Sequence, residues 1–424
     1  MTCYIFDPHA KHSMMKNIYV LFLFLSISFA NGQVWPASSW TAAVNLTAAM
    51  DTDGITDLSG LHFNSVNNRL YCVQGDGRVR ILQWNATTNT FSQIGSRALN
   101  GGPEGITQAN LNANEFYTID ENNYEIKRYT HTSNFSSVSL LRHWNLLSSP
   151  SPMQDTGNSG PEGIVFIPDS ALATAGFVSQ QTGLLYTSTK GLGGLMFVAH
   201  QDQGYVWAFD LNPNTDDDFA FVGKYKTNSS ESCDLAFDRS TNLMYILHNV
   251  VDNNTLEVTD LSSSVVSGIR KFTVTAQFNL TNPQDGNANI EGFALTPKCP
   301  ATGVKAAWLC RDIENNEGTA IRQDALRWFN PFNAAGDCVV LETDGFAVAD
   351  AITIVPNPGN GQITISGKMN QARLKISNSL GQVVLKTENA TNGFTVDISN
   401  LKNGIYLIEV ENSGKISHTK WIKN

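Results

Sequence analysis

Gly102-Pro103-Glu104-Gly105-Ile106 spells GPEGI, and the same five residues return at Gly160-Pro161-Glu162-Gly163-Ile164 in a chain that is otherwise not of low complexity. A phrase repeated at that distance marks a repeated supersecondary unit. After the first copy comes a β-rich FYTID at Phe116 to Asp120 and then EIKRYTH at Glu125 to His131, so the unit reads strand, turn, strand, turn, strand.

The same grammar occurs five times. The openings are LSGLHF from Leu58, PEGITQ from Pro103, PEGIVF from Pro161, CDLAFD from Cys233 and IEGFAL from Ile290. Second strands begin at Tyr71, Tyr117, Phe197, Tyr245 and Trp308, and third strands read RVRILQW, EIKRYTH, YVWAFDL, TLEVTDL and DALRWFN. Fourth strands are expected at FSQIGSRA, SVSLLRHW, FAFVGKYK and KFTVTAQF. Aromatic and β-branched residues alternate with polar ones, while Gly, Asn and Asp fill the turns. Four short strands per unit, with openings 45, 58, 72 and 57 residues apart from Ser59 to Glu291, predict an all-β fold, a five- or six-bladed β-propeller over residues 36–346. Trp40 to Leu46 and Cys338 to Glu342 are candidates for closing strands or part of a sixth blade. In the third unit, Pro168 to Gly194 separate the first strand from the second, a long loop that is either a lid over the channel or an inert excursion.

The ends and the charge bound the setting. MMKNIYVLFLFLSISFA, Met14 to Ala30, has a Lys16 n-region, an apolar run from Ile18 and a small-x-small ending. It reads as a secretory signal peptide within residues 1–32, with Met14 or Met15 as a possible start. The run of about 13 apolar residues is short of the roughly 20 that span a bilayer, so no transmembrane segment is expected and the exported protein is read as soluble. Beyond the leader stand five cysteines, Cys72, Cys233, Cys299, Cys310 and Cys338, whose spacings match no disulfide framework or CxxC metal pair. Their pairing stays open. Residues 351–424 carry a net charge of +4, which leaves about −15 on the body from 33 to 350. An acidic body argues against nucleic acid and towards cations.

Past a short linker at 347–351 the texture changes. Alternation is strict in Arg373 to Ser377 and in Ile405 to Val410, which suggests a small Ig-like β-sandwich over 352–424. Pro356-Asn357-Pro358 with Gly359 and Gly361, Gly381, Asp397-Ile398-Ser399-Asn400-Leu401, Gly404-Ile405-Tyr406 and the terminal Lys420 and Lys423 follow in order. In these residues the module resembles the type A C-terminal sorting domain of type IX secretion cargo in Bacteroidetes. The resemblance implies recognition by the type IX secretion machinery, passage across the outer membrane, and release or attachment to a surface glycan.

Stacking the five openings gives a column of Ser59, Glu104, Glu162, Asp234 and Glu291, with Asp57 two residues before the serine. In a propeller this column rings the axis, where four or five carboxylates repel one another unless protonated, solvated or neutralised by a cation. Calcium suits such a ring because it takes six to eight hard oxygen ligands, so Glu104, Glu162, Asp234 and Glu291 are the expected metal ligands. The plainer alternative is that each acid accepts hydrogen bonds from backbone amides of the next blade, while glycine fits where the strands crowd. A second column, at the ends of the second strands, reads Gln74, Asp120, His200, His248 and Arg311, followed by Gly75, Glu121, Gln201, Asn249 and Asp312. Divergence at equivalent places is what an asymmetric site needs. Asp120, His200 and His248 are therefore candidate bases and Arg311 a candidate holder of a small anionic ligand.

Asp57-Leu58-Ser59-Gly60-Leu61, both PEGI phrases and Glu291-Gly292-Phe293 make the body resemble the SdiA-regulated and esterase-like phytase propellers. It is more distantly similar to calcium-dependent lactonases of the regucalcin type. The resemblance implies calcium and a phosphatase, esterase or lactonase activity. Asp234-Leu235 departs from the Glu-Gly of the other units, and no dense Lys/Arg cluster for a polyphosphate accompanies Arg78, Arg80, Arg128 and Arg311. No GxSxG elbow, HExxH, P-loop or EF-hand loop is present. Two functions follow as expectations: a calcium-binding surface propeller, with metal-dependent phosphoester or ester hydrolysis as its candidate activity, or a non-catalytic binding or adhesion module in which calcium only stabilises the fold.

Overall fold

The computed structural model describes residues 32–336 and 353–424, apart from 250, 252, 284–287, 300–304, 368, 379–381 and 413–414. The leader before residue 32, the 347–351 linker, Gly381 and the closing strand expected at Cys338 to Glu342 lie outside the described residues. The chain divides into two compact units, Met1–Cys338 and Val339–Asn424.

In the first unit the expected strands form five four-stranded antiparallel sheets. The first holds Leu58–Asn64, Arg69–Gln74, Arg78–Asn85 and Thr90–Ala98. Pro103–Thr107, Glu115–Asp120, Glu125–His131 and Val138–Asn145 make the second. The third is built from Pro161–Pro168, Gly194–His200, Tyr205–Leu211 and Phe219–Lys226, and the fourth from Asp234–Asp238, Leu243–His248, Thr255–Val266 and Ile269–Asn279. The fifth has Ile290–Leu295, Ala307–Arg311 and Leu326–Phe329, and takes its outer strand from the chain's beginning, where Val44 and Asn45 pair with Trp328 and Arg327. Sheets three and four also touch at their edges through one parallel pair, Lys226 with Lys271.

The opening strand of each sheet packs on that of the next, and the fifth returns to the first, so the five close into a ring. The repeated glycines make this approach possible. A Cβ on Gly60 would stand 2.3 Å from the Glu104 carbonyl oxygen, one on Gly105 2.7 Å from that of Glu162, and one on Gly163 2.5 Å from the Asp234 Cα. Real Cβ atoms do not approach backbone so closely, so glycine is required at these three meetings of inner strands. Away from the axis, each pair of neighbouring sheets encloses its own apolar core. Between the fifth and first, for example, Phe63 stacks on Trp308 with ring centroids 4.7 Å apart, and Trp84 lies edge-on to Trp328. Such aromatic pairs add about 1 kcal/mol each beyond the area they bury.

The Pro168 to Gly194 excursion is not placed over the column. It leaves the inner strand at the end opposite Glu162, forms a helix at Asp169–Ala175, and buries Ala171, Leu172 and Phe177 in the core between sheets three and four. Its return is pinned by the fully buried Asp210, whose carboxylate accepts from the hydroxyls of Tyr186, Ser188 and Thr189 and from the amides of Thr189 and Lys190.

The second unit has a three-stranded sheet, Thr353–Val355, Gln362–Ser366 and Phe394–Asp397, and a four-stranded one, Ala372–Asn378, Val383–Ala390, Gly404–Asn412 and Lys415–Lys423. They share one core centred on Trp421, Ile363, Ile376 and Ile408. The motif residues lock the last strand. Trp421 Nε1 donates to the Pro356 carbonyl at 3.0 Å, Asn357 Nδ2 to the Lys420 carbonyl at 2.9 Å, and the buried Lys423 Nζ to Ile398 and Ser399 at 2.6 and 2.7 Å.

Candidate functional site: an acidic mouth at one end of the ring

All five inner strands start at the same end of the ring, and the column residues stand at those starts. There the column divides into two kinds. Asp234 is fully buried and spends its carboxylate on backbone: Oδ2 accepts from the Phe293 amide and Oδ1 from the Leu235 amide, both at 2.8 Å. This clasp ties the fourth sheet to the fifth, as the plainer alternative anticipated for the whole column. Leu235 occupies the glycine place here, and the aspartate, one methylene shorter than glutamate, stays at strand level.

Glu104, Glu162 and Glu291 instead project to the mouth, where Asp57, Glu121 and Asp312 join them. Gly75 is the floor beneath one pair. Where its Cβ would be, Glu104 Oε1 stands 2.6 Å away and the two Asp57 carboxylate oxygens 3.0 and 3.1 Å away. Asp57 holds φ at +58°, a left-handed conformation tolerated by aspartate more than by most residues. Its backbone is fixed on both sides, by its own amide to the Ile313 carbonyl and by its carbonyl to the Gly75 amide, each at 3.0 Å. Glu121 Oε1 accepts from the Gly160 amide at 3.3 Å, and its carboxyl acts directly on that of Glu162. Two carboxylates so placed repel each other, which favours the protonated form.

The electrostatics follow from this crowding. Burial pushes Glu104 up to about 8, with Asp57, Glu121 and Asp312 adding repulsion and the Ser59 hydroxyl opposing it. Glu162 and Glu291 are held well above the carboxylate range, chiefly by burial, then by Glu104 and Glu291 for the first and by Asp312 and Glu104 for the second. Burial and Asp57 raise Asp312 to about 6. None of the six acts on a lysine or arginine within this group: every charged neighbour that moves these carboxyls is another carboxyl. Among the described residues, no three acidic, histidine or cysteine side chains already stand as a metal-binding group, so the carboxyls would have to draw together to ligate an ion.

The second-column residues are drawn into the protein instead. Asp120 is buried against Lys127, with Oδ2 2.5 Å from Nζ, and also accepts from Asn123. Arg311 is fully buried: Nε donates to the Asp324 carbonyl at 3.0 Å, Nη2 lies 3.2 Å from the Asp324 carboxylate, and the guanidinium faces the Trp40 ring. His200 lies between the rings of Tyr124 and Trp207, and burial pushes its imidazole down to about 4. His248 stands between the Ser232 hydroxyl, 3.3 Å from Nδ1, and Glu257, 3.7 Å from Nε2. That order of serine, histidine and acid resembles a nucleophilic triad, yet all three residues are buried and Nδ1 donates to the Glu231 carbonyl at 2.7 Å. The serine therefore has neither a free base nor access to a substrate. Asp57, Glu121 and Asp312 were visible in the sequence as neighbours of the two columns, and their convergence comes from the ring.

Cys72, Cys233 and Cys310 are free buried thiols. Cys299 is disulfide-bonded, with its partner outside the described residues.

The comparisons with known proteins bear on the second unit and on little else. No curated protein matches the chain. Among solved structures the chain is similar to PorZ, described as an essential surface component of the type-IX secretion system of Porphyromonas gingivalis, at 14% identity and a TM-score of 0.23. That match covers 87% of this chain and 45% of PorZ, so the chain spans under half of that protein's length. No described helix is long and apolar enough to cross a membrane. Residues 353–424 match the secretion system C-terminal sorting domain, and the chain is accordingly a type IX secretion cargo that is held at the cell surface or released.

Proposed function

We propose that the first unit is a five-bladed β-propeller and the second an Ig-like sandwich, and that the propeller is a surface module taking up a hard divalent cation, calcium, at its acidic mouth. One observation carries this reading: six carboxyls converge at that mouth, and among the described residues no cationic side chain acts on them. Glu104, Glu162 and Glu291 are the central ligands, with Asp57, Glu121 and Asp312 around them, while Asp234 serves the fold. The donor set is all carboxylate oxygen, which suits calcium and disfavours softer ions. Bound calcium supplies the positive charge that lets these groups ionise side by side. In its absence burial and mutual repulsion favour the protonated forms of Glu104 and Glu162.

A binding role is preferred to a hydrolytic one because Asp120 and Arg311 already have buried ion-pair partners. Calorimetric titration of the exported chain with calcium tests the reading, repeated with Glu104→Gln and Glu162→Gln. Saturable binding that each variant weakens at least tenfold is expected. Absence of heat and of thermal stabilisation in the parent protein defeats it. A panel of phosphomonoesters, esters and lactones, with and without chelator, is expected to show no metal-dependent turnover.

A further inference from the structure

The end of the ring opposite the acids is built differently. There all five inner strands line one small cavity, whose free space of about 30 Å³ holds a water or two but no ring-sized ligand. Its polar groups are His62, Thr107, Gln108 and Arg239. Arg239 leaves the fourth sheet and crosses the mouth to the second, where Nη2 donates to the Gln108 and Ala109 carbonyls at 3.0 Å each. Its guanidinium carbon lies 5.7 Å from the centroid of the Phe166 ring on the third sheet.

Two features of this cation stand out. It is exposed at the rim of the cavity, the packing around it lowers its pKa, and no carboxylate acts on it, in a protein with ten more acidic than basic residues. Among the described residues only Nη2 finds protein acceptors, which leaves the Nε and Nη1 edge of a five-donor fork available. Facing the same cavity, His62 has a buried Nε2 with no hydrogen-bond partner. That ring nitrogen is left unmatched, and Arg239, whose planar fork suits an oxyanion, lines the same cavity. Nearby, Asp238 does not compete, because its oxygens accept from Ser240 and from the Lys298 amide. Gln108 is also satisfied, with Oε1 accepting from Asn64 and Nε2 donating to the Glu115 carbonyl.

We propose that this second mouth takes an oxygen or two of a small oxyanion, the carboxylate or phosphate head of a ligand whose remainder stays outside the cavity, between Arg239 and His62. The site is independent of the cation reading, since it lies at the other end of the inner strands and shares no residue with it. An anion placed there stabilises the protonated imidazole, which burial and then Arg239, opposed by Gln108, now hold down at a pKa of about 3.

The test follows the His62 imidazole by NMR in the full exported chain carrying ¹³C-labelled histidine, at fixed ionic strength and pH 6. Formate and inorganic phosphate are titrated separately, which distinguishes the carboxylate from the phosphate source. A saturable shift of the His62 resonance is expected with at least one of the two, with His200 unmoved. Arg239→Lys should weaken the binding several-fold and Arg239→Gln should abolish it. No saturable shift in the parent protein, or an equal shift in Arg239→Gln, overturns the proposal. Should Arg239→Gln fail to fold, the parent titration and Arg239→Lys decide between these outcomes.

Discussion

Raising the pH should destabilise the ion-free ring, and Glu104 gives the size of the effect. In the unfolded chain its carboxyl titrates near 4.5, and in the folded protein burial and its acidic neighbours move it to about 8. A raised carboxyl pKa means that the folded state binds the proton more tightly. Its stabilising contribution is complete below about pH 4.5 and is lost as pH climbs through about 8. The full interval corresponds to a ceiling of about 5 kcal/mol at roughly 1.4 kcal/mol per unit. Glu104 is only part-buried at an open mouth, where water and neighbouring carboxyls share the load, so about 2 kcal/mol is the expected loss. For a unit of this size that lowers Tm by about 3 °C. Thermal unfolding in chelator at pH 5.5 and 8.5, at one ionic strength, measures it. Glu104→Gln should flatten most of the difference, and calcium at about a hundred times its Kd should restore roughly 2.7 kcal/mol. A Tm indifferent to pH in chelator, or an equal pH slope in Glu104→Gln, would refute the reasoning.

Two further predictions concern the scaffold. Gly105→Ala places a methyl group 2.7 Å from the Glu162 carbonyl oxygen and the Ile164 amide nitrogen, so the second and third sheets must part; a loss of about 3 kcal/mol in denaturant unfolding is expected. Asp210→Ala leaves the donors of Tyr186, Ser188, Thr189 and Lys190 without their common acceptor, and limited proteolysis between Leu184 and Gly193 should accelerate at least tenfold while the sheets stay folded.

The strands were legible because their causes are local. Alternation in EIKRYTH, aromatic residues facing a core and turn asparagines such as Asn68, Asn89 and Asn242, all at positive φ, act over a few residues. The glycine after the column acid was legible for its crowding, although which backbone it meets was not. Roles of individual polar groups were harder, because their partners come from other sheets. Asp234 and Glu162 occupy equivalent places, yet one carboxylate meets the Phe293 amide and the other meets Glu121. Arg311 read as a free cation, and its neighbour Trp40 arrives from the far end of the chain with the segment that closes the ring. The excursion after Pro168 is a wedge between sheets, since Leu172 and Phe177 find a core there, and single-sequence patterning carries no sign of which end of a sheet a loop covers.

Proton release on calcium binding tests the central claim most directly, because it asks whether the mouth trades protons for a cation. The exported chain is titrated with calcium chloride at pH 7 in weak buffer with a pH-stat, beside Glu104→Gln and Glu162→Gln. The account predicts release of about one proton or more per calcium bound, fewer in each variant, because Glu104 titrates up at about 8 and burial with its acidic neighbours favours the protonated form of Glu162. Calcium binding without proton release, or no binding at all, would contradict it.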